Sequence, residues 1–204
     1  YVVDSEPGSY LYCGLSRDAS KEEILERINN NTITDILNKI EVKAGDVVMV
    51  KAGTIHAIGA GVFICEIQQN SNCTYRMYDY DRRDKFGNPR ELHVKKALDV
   101  VDNHKYVKDN KTEVVIARNE HFTEERLVQC KYFEVYKYDV NDEAKITVDE
   151  ASFVSVLFIN GSGTIETDDY EKTMEFKAGD SFFVSAGLRS IIVKGQATMV
   201  VTRV

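Results

Sequence analysis

The chain has 204 residues, a formal net charge of -7, and globular proportions of 43% hydrophobic and 29% charged side chains. The acidic balance argues against nucleic acid as a partner, because phosphate-backbone binders carry a basic excess; a small phosphorylated ligand remains compatible, since one or two local cations suffice for it. No apolar run approaches the roughly 20 residues of a membrane helix, so no membrane partner is expected.

Cys13, Cys65, Cys73 and Cys130 show no CxxC spacing and read as reduced thiols of a cytoplasmic protein. The sequons at Asn72 and at Asn110-Lys111-Thr112 are then chance matches. Tyr1-Val2-Val3 already reads as a strand in progress, which leads to the expectation of a piece of a longer protein.

Short strands dominate the chain order. Ser20-Lys21-Glu22-Glu23 predicts a capping box in which Ser20 and Glu23 satisfy orphan backbone donors. Ile24, Leu25 and Ile28 follow as the apolar face of that helix. A short turn is expected around Asp35-Ile36-Leu37. A second helix is predicted from Asn88-Pro89, with Val94, Ala97, Leu98 and Val101 as its buried face. From about residue 112 the pattern is β: Tyr132–Val140 is rich in aromatic and branched residues, and Phe153–Ile159 is a continuous apolar run closed by Asn160-Gly161 as a hairpin turn.

An internal repeat organises these strands. Residues 42–58 read VKAGDVVMVKAGTIHAI and residues 176–192 read FKAGDSFFVSAGLRSII, identical at 8 of 17 positions with an offset of 134. The shared frame is a turn, a buried strand and a second glycine turn, the unit of a β-barrel or sandwich. The fold class expected is mainly β, two related β-barrel or jelly-roll domains with a small helical insertion and a connecting helix. The boundaries expected are 1–105, the C-terminal part of a metal-bearing catalytic domain with a helical insert at about 20–40, and 106–204, a second, degenerate domain without metal ligands. The copies differ where chemistry would sit, because His56 of the first is Ser190 in the second.

Gly45, Gly53 and His56 match the second half of the cupin signature, although Lys51 stands where Pro is usual and Ala60 where Asn is usual. Neutral imidazole at that position suits zinc or another first-row divalent ion, while a lone His at a strand start is more often a hydrogen-bonded structural residue. Three segments decide the reading: Ala52-Gly53-Thr54-Ile55-His56-Ala57-Ile58, the run from Glu66 to Arg82 (EIQQNSNCTYRMYDYDR), and Pro89-Arg90-Glu91-Leu92-His93. Together they closely resemble type I mannose-6-phosphate isomerases of the short bacterial kind, and the resemblance runs over essentially the whole chain.

The resemblance implies a zinc-dependent interconversion of mannose 6-phosphate and fructose 6-phosphate through an enediol. Four ligands hold the zinc in that family, and only one maps here, to His56; the Gln-x-His pair and the Glu are expected outside this chain. Arg76 is implied as the active-site arginine, suited to an anionic enediolate by its permanent charge and fixed fork. Glu66 is a candidate catalytic carboxylate, as a sugar-hydroxyl contact or proton carrier, with pairing to Arg76 as the alternative. Arg82, more than Arg83, is a candidate for the phosphate. His93 reads as structural, and His104 and His121 carry no motif. Gly59-Ala60-Gly61 lacks the third glycine and helix of a dinucleotide loop, Gly161-Ser162-Gly163 reads as a hairpin, and no nucleophile elbow is present. The other functional class open to these residues is a non-catalytic cupin module that binds sugar phosphate or a protein, as monomer or homodimer.

Overall fold

Two turns of the same sequence shape the chain, and the strands around them can be followed in a computed structural model that describes residues 1–71, 73–108, 114–168 and 172–204. The chain divides into Tyr1–Lys108 and Asp109–Val204. Asn72 of the first sequon and all of the second lie outside the described residues.

In the first unit β1 (Val2–Ser5) pairs antiparallel with β5 (Val62–Ile64), and β2 (Tyr10–Leu15) lies between β3 (Leu37–Glu41) and β4 (His56–Ile58). The helical insertion follows β2 as α1 (Lys21–Asn29) and a 3-10 turn at Ile33–Ile36. Ser20 caps α1, its hydroxyl accepting from the Glu23 N–H at 3.1 Å. The reciprocal half of the expected box is not formed: the Glu23 carboxylate is taken by the guanidinium groups of Arg17 and Arg27. Leu25 also departs from the expected face, at 39% exposure, because one residue of helix turns it about 100° from buried Ile24. Ile24 and Ile28 pack with Leu15, Ile33, Ile36 and Met77 into one core.

The second helix, α2 (Val94–Val100), begins later than Asn88-Pro89. Asp84 is the physical reason. Its carboxylate accepts from the backbone N–H of Phe86 and of Asn88, and Arg83 forms an isolated bridge with Pro89, so residues 83–89 close a loop. The predicted face is nevertheless the buried one, since Ala97 and Val101 enter the core with Val94 and Leu98 packed against it.

The second unit holds β6 (Val114–Arg118), β7 (Phe122–Gln129), β8 (Glu134–Val140), β9 (Glu143–Val148), β10 (Val154–Thr167), β11 (Thr173–Lys177), β12 (Ser181–Val184) and β13 (Arg189–Arg203). The ladder runs β11-β10-β13-β8-β7-β6, with β12 on β10 and β9 on β13. The two longest strands thus change partners along their length, as strands shared by two packed sheets do.

Asn160-Gly161 is no hairpin turn. It lies inside β10, where the register slips between Phe158 and Asn160, and the Gly161-Ser162-Gly163 run continues the strand. A Cβ on Gly161 would stand 1.9 Å from the Gln196 carbonyl oxygen, so the glycine answers a close strand approach and a bulge. The core between the sheets is led by Phe158, which has no exposed surface and stacks on Phe176 at 3.7 Å between ring centroids. The strand expected after Asp180 is β12, whereas residues 47–50 of the first copy form no ladder among the described residues.

Candidate functional site

Both copies of the repeat build the same turn. In the first, the Lys43 N–H donates to Asp46 Oδ2 at 2.8 Å and Gly45 sits at φ +93°. In the second, the Lys177 N–H donates to Asp180 Oδ2 at 2.9 Å and Gly179 sits at φ +90°. Each turn then locks onto a strand in the same way: Gly45 N–H to Val2 O and Val2 N–H to Asp46 O, against Gly179 N–H to Phe158 O and Phe158 N–H to Asp180 O. From Val2 to Gly45 is 43 positions and from Phe158 to Gly179 is 21, so the first copy carries 22 extra residues, most of them in the stretch from α1 through its 3-10 turn.

The second glycine turn places His56. Gly53 has φ +83°, and a Cβ there would stand 2.7 Å from the Val100 carbonyl oxygen, at the end of α2. The Asp102 N–H in turn donates to Gly53 O at 2.9 Å. Ile55 packs against the core, and β4 leaves the turn with His56 opposite Cys13 of β2. His56 is exposed, with Nδ1 3.0 Å from the Thr54 carbonyl oxygen. A carbonyl only accepts, so in the neutral ring Nδ1 carries the proton and Nε2 has the lone pair. No described residue bonds that Nε2. This is the arrangement of a metal-binding imidazole, one nitrogen fixed by a backbone carbonyl and the other presented.

The second copy puts the same carbonyl to another use. Leu188, in the place of Thr54, accepts from the Ser190 N–H at 2.9 Å. Ser190 is 2% exposed, and its hydroxyl donates to the Asp168 carboxylate. An exposed imidazole in one copy is a closed hydrogen bond in the other.

Arg76 is held at the opposite end of α2. Its N–H donates to His93 Nδ1 at 3.3 Å, its carbonyl accepts from the His93 N–H at 2.6 Å, and its guanidinium donates to the Glu91 carbonyl at 3.3 Å. His93 is the residue before the helix, not within it, and its role is to fix the Arg76 backbone. The turn before His56 and the backbone of Arg76 are therefore separated by the length of a seven-residue helix, about 10 Å. Ile55 and Met77, their chain neighbours, meet in the core that buries Ala97.

The structure does not join Glu66 to this pair. Glu66 follows β5, is exposed, and has no hydrogen-bond or salt-bridge partner among the described residues; the alternative pairing with Arg76 is not formed. Arg82 is exposed and lies over the Tyr80 ring at 5.1 Å. Arg83 serves its own loop, donating to Asp81 Oδ1 and to the Gly87 carbonyl.

Sequence reasoning missed what shapes this loop. Tyr80 and Asp81 are consecutive non-glycine residues at φ +57° and +51°, a sparsely populated backbone state. Buried Asp79 precedes them, gripped by the Arg90 fork with Nε at 2.7 Å, which holds its carboxyl below the usual carboxylate range. Asp79 and Arg90 both stood in quoted segments, but no periodicity links positions 11 apart. A 340 Å³ cavity between Asp4–Glu6 and Gly61–Phe63 contains none of the four candidate residues. Among the described residues no group of three His, Cys, Asp or Glu is placed to hold a metal ion, so His56 fits zinc as a single ligand and needs further donors.

Comparison with known proteins follows the same division. A family model described as "Mannose-6-phosphate isomerase, cupin domain" matches residues 123–204. YvyI of Bacillus subtilis (strain 168) is 38% identical over 209 residues, covering 100% of this chain and 63% of that protein. Mannose-6-phosphate isomerase ManA of the same organism is 31% identical over 212 residues, covering 99% of this chain and 62% of its own length. The crystal structure of mannose 6-phosphate isomerase from Bacillus subtilis superposes with a TM-score of 0.89 at 36% identity, over 100% of this chain and 63% of that one. The chain therefore spans less than two thirds of the relatives it matches.

Proposed function

From the premise that this chain is a relative of the bacterial mannose-6-phosphate isomerases, similar to them along its whole length and cupin-like in fold, we propose that it supplies His56, Arg76, Glu66 and Arg82 to a zinc-dependent isomerase interconverting mannose 6-phosphate and fructose 6-phosphate. The observation that carries this reading is the presentation of His56: Nδ1 is fixed on the Thr54 carbonyl and Nε2 is unbonded by any described residue.

Zinc bound there would act as a Lewis acid on the sugar oxygens. Arg76 holds its charge against the oxygen that becomes anionic as a proton moves between adjacent carbons, its backbone kept in place by His93. Glu66, exposed after β5, is the proposed proton carrier or sugar-hydroxyl contact, and Arg82 meets the phosphate from the loop that Asp79 and Arg90 brace. The three other zinc donors are proposed to lie outside this chain, so that the 204 residues alone bind zinc weakly and do not turn over. Four free cysteines suit the proposed cytoplasmic setting, and no helix of the described residues is long and apolar enough to cross a membrane.

The test compares zinc content and mannose 6-phosphate isomerisation in this chain and in the full-length gene product. In the full-length protein His56→Ala is expected to release zinc, and Arg76→Ala to lower kcat by roughly 10²–10³-fold with zinc retained, the scale of a lost oxyanion donor. Undiminished activity in both variants would sink the assignment.

A further inference from the structure

The second unit carries a cavity that the isomerase reading does not use. Its volume is about 360 Å³, within the range of small-ligand sites, and its walls include Tyr132, Phe133, Phe153, Lys131 and Arg203. Arg203 is the residue without an explanation. It lies on β13 with its guanidinium 5.3 Å over the Tyr136 ring, and its side chain makes no hydrogen bond to a described residue. Its Nε is the one buried side-chain nitrogen or oxygen among the described residues that lacks a partner. A buried donor left unmade costs far more than an exposed one.

The obvious partner is already spent. Glu134 faces Arg203 across the β8–β13 ladder, but its carboxylate accepts from the Tyr136 hydroxyl at 2.6 Å and from the Gln129 side-chain amide. Asp149, also on the cavity wall, accepts from the Ala151 and Ser152 N–H groups. The acids have partners within the fold, while Arg203 Nε has none among the described residues, and the nearby Lys131 adds a second cation beside an aromatic wall. A planar fork of donors matches a carboxylate or phosphate.

We propose that this cavity binds a small organic oxyanion, a carboxylate or phosphate monoester on an apolar or aromatic body, with Arg203 as the anchoring donor and Tyr132 and Phe153 as the wall that receives the body. The site lies wholly in the second unit and stands independently of the zinc site.

Phenyl phosphate, benzoate and inorganic phosphate titrated into the 204-residue chain provide the test, by calorimetry and by amide chemical shifts. Saturable binding of phenyl phosphate or benzoate with Kd of about 1 mM or tighter is expected, with inorganic phosphate at least tenfold weaker for want of a body. The preferred organic probe identifies phosphate or carboxylate as the natural group. Shifts should concentrate at residues 131–134, 151–154 and 203. Arg203→Met should abolish binding; Arg203→Lys, which keeps a cation over Tyr136, should weaken it at least tenfold and guards against a variant that fails to fold. No saturable binding, shifts centred elsewhere, or unchanged affinity in a folded Arg203 variant would overturn the proposal.

Discussion

The turn at Lys43–Asp46 and the turn at Lys177–Asp180 share their side-chain clasp, their left-handed glycine and their pair of strand hydrogen bonds, yet one leads to an exposed imidazole and the other to a buried serine. The backbone frame is thus separable from the chemistry it carries. At the position that matters here the copies differ in side chain and in what stands beside it: Cys13 lies opposite His56 in the ladder, whereas Ser190 bonds the carboxylate of Asp168, just past the end of β10. The first copy carries an insertion and leaves an exposed imidazole at this position; the second buries the position and closes it with a hydrogen bond.

The largest test of that contrast lies in the strands the turns lock onto. Phe158→Ala should cost about 3–5 kcal/mol in urea denaturation, because a fully buried aromatic stacked on Phe176 is lost. Val2→Ala at the equivalent position should cost only about 1.5 kcal/mol, two buried methyl groups. Similar losses would show that the two copies are equally packed.

A direct exchange of the differing residue comes next. Ser190→His should destabilise the chain by about 1–3 kcal/mol through overpacking, and zinc titration should show no gain in affinity, since one imidazole does not make a site. His56→Ser should leave stability within about 0.5 kcal/mol, as expected of an exposed side chain. A zinc site appearing in the first of these variants would mean that the second copy needs only the ligand.

Removing the shared clasp should affect both copies alike. Asp46→Ala and Asp180→Ala each delete one side-chain acceptor for a backbone N–H and are each expected to cost about 1 kcal/mol by thermal melting. A strongly unequal pair would show that the insertion has altered the first turn's role.

The smallest effects are in pH, and they separate the units by sign. Arg17, and then Arg27, holds the Glu23 carboxyl down at about 2, against an ordinary 4.5. Stability from that depression is full above the ordinary value and drains away as pH falls towards 2. In the second unit His121 is raised above its ordinary 6.5 by its bond to Asp142. Its contribution is full below 6.5 and is lost as pH rises through the raised value. Arg17→Met should therefore flatten the melting temperature between pH 5 and pH 3, and Asp142→Asn should flatten it between pH 6 and pH 8. Unchanged slopes would remove these pairs from the stability of either unit.

Much was legible in the residues. The KAGD and AG spacing announced both turns, because only glycine takes those left-handed angles at low cost and aspartate clasps the turn from three residues away. The apolar face of α2 was legible by its period, and the Thr-Tyr-Arg segment carried the resemblance that the relatives of Bacillus subtilis bear out. Local rules failed where a long-range partner took over. Glu23 left its capping box for two arginines, Asp84 held Asn88-Pro89 in a loop, and Asn160-Gly161 became part of a strand because Gln196 pressed against it.

Sequence by itself determined the repeat, the resemblance to the mannose-6-phosphate isomerases and the identity of His56 as the position where the copies part. Only tertiary structure decided which nitrogen of His56 is free of the described residues, that His93 holds the Arg76 backbone, and that Arg203 keeps a buried donor without an acceptor among the described residues. The reason is physical: turns and helix faces are set by neighbours a few residues apart, whereas a hydrogen-bond partner is chosen by whatever distant backbone the fold brings within 3 Å or so.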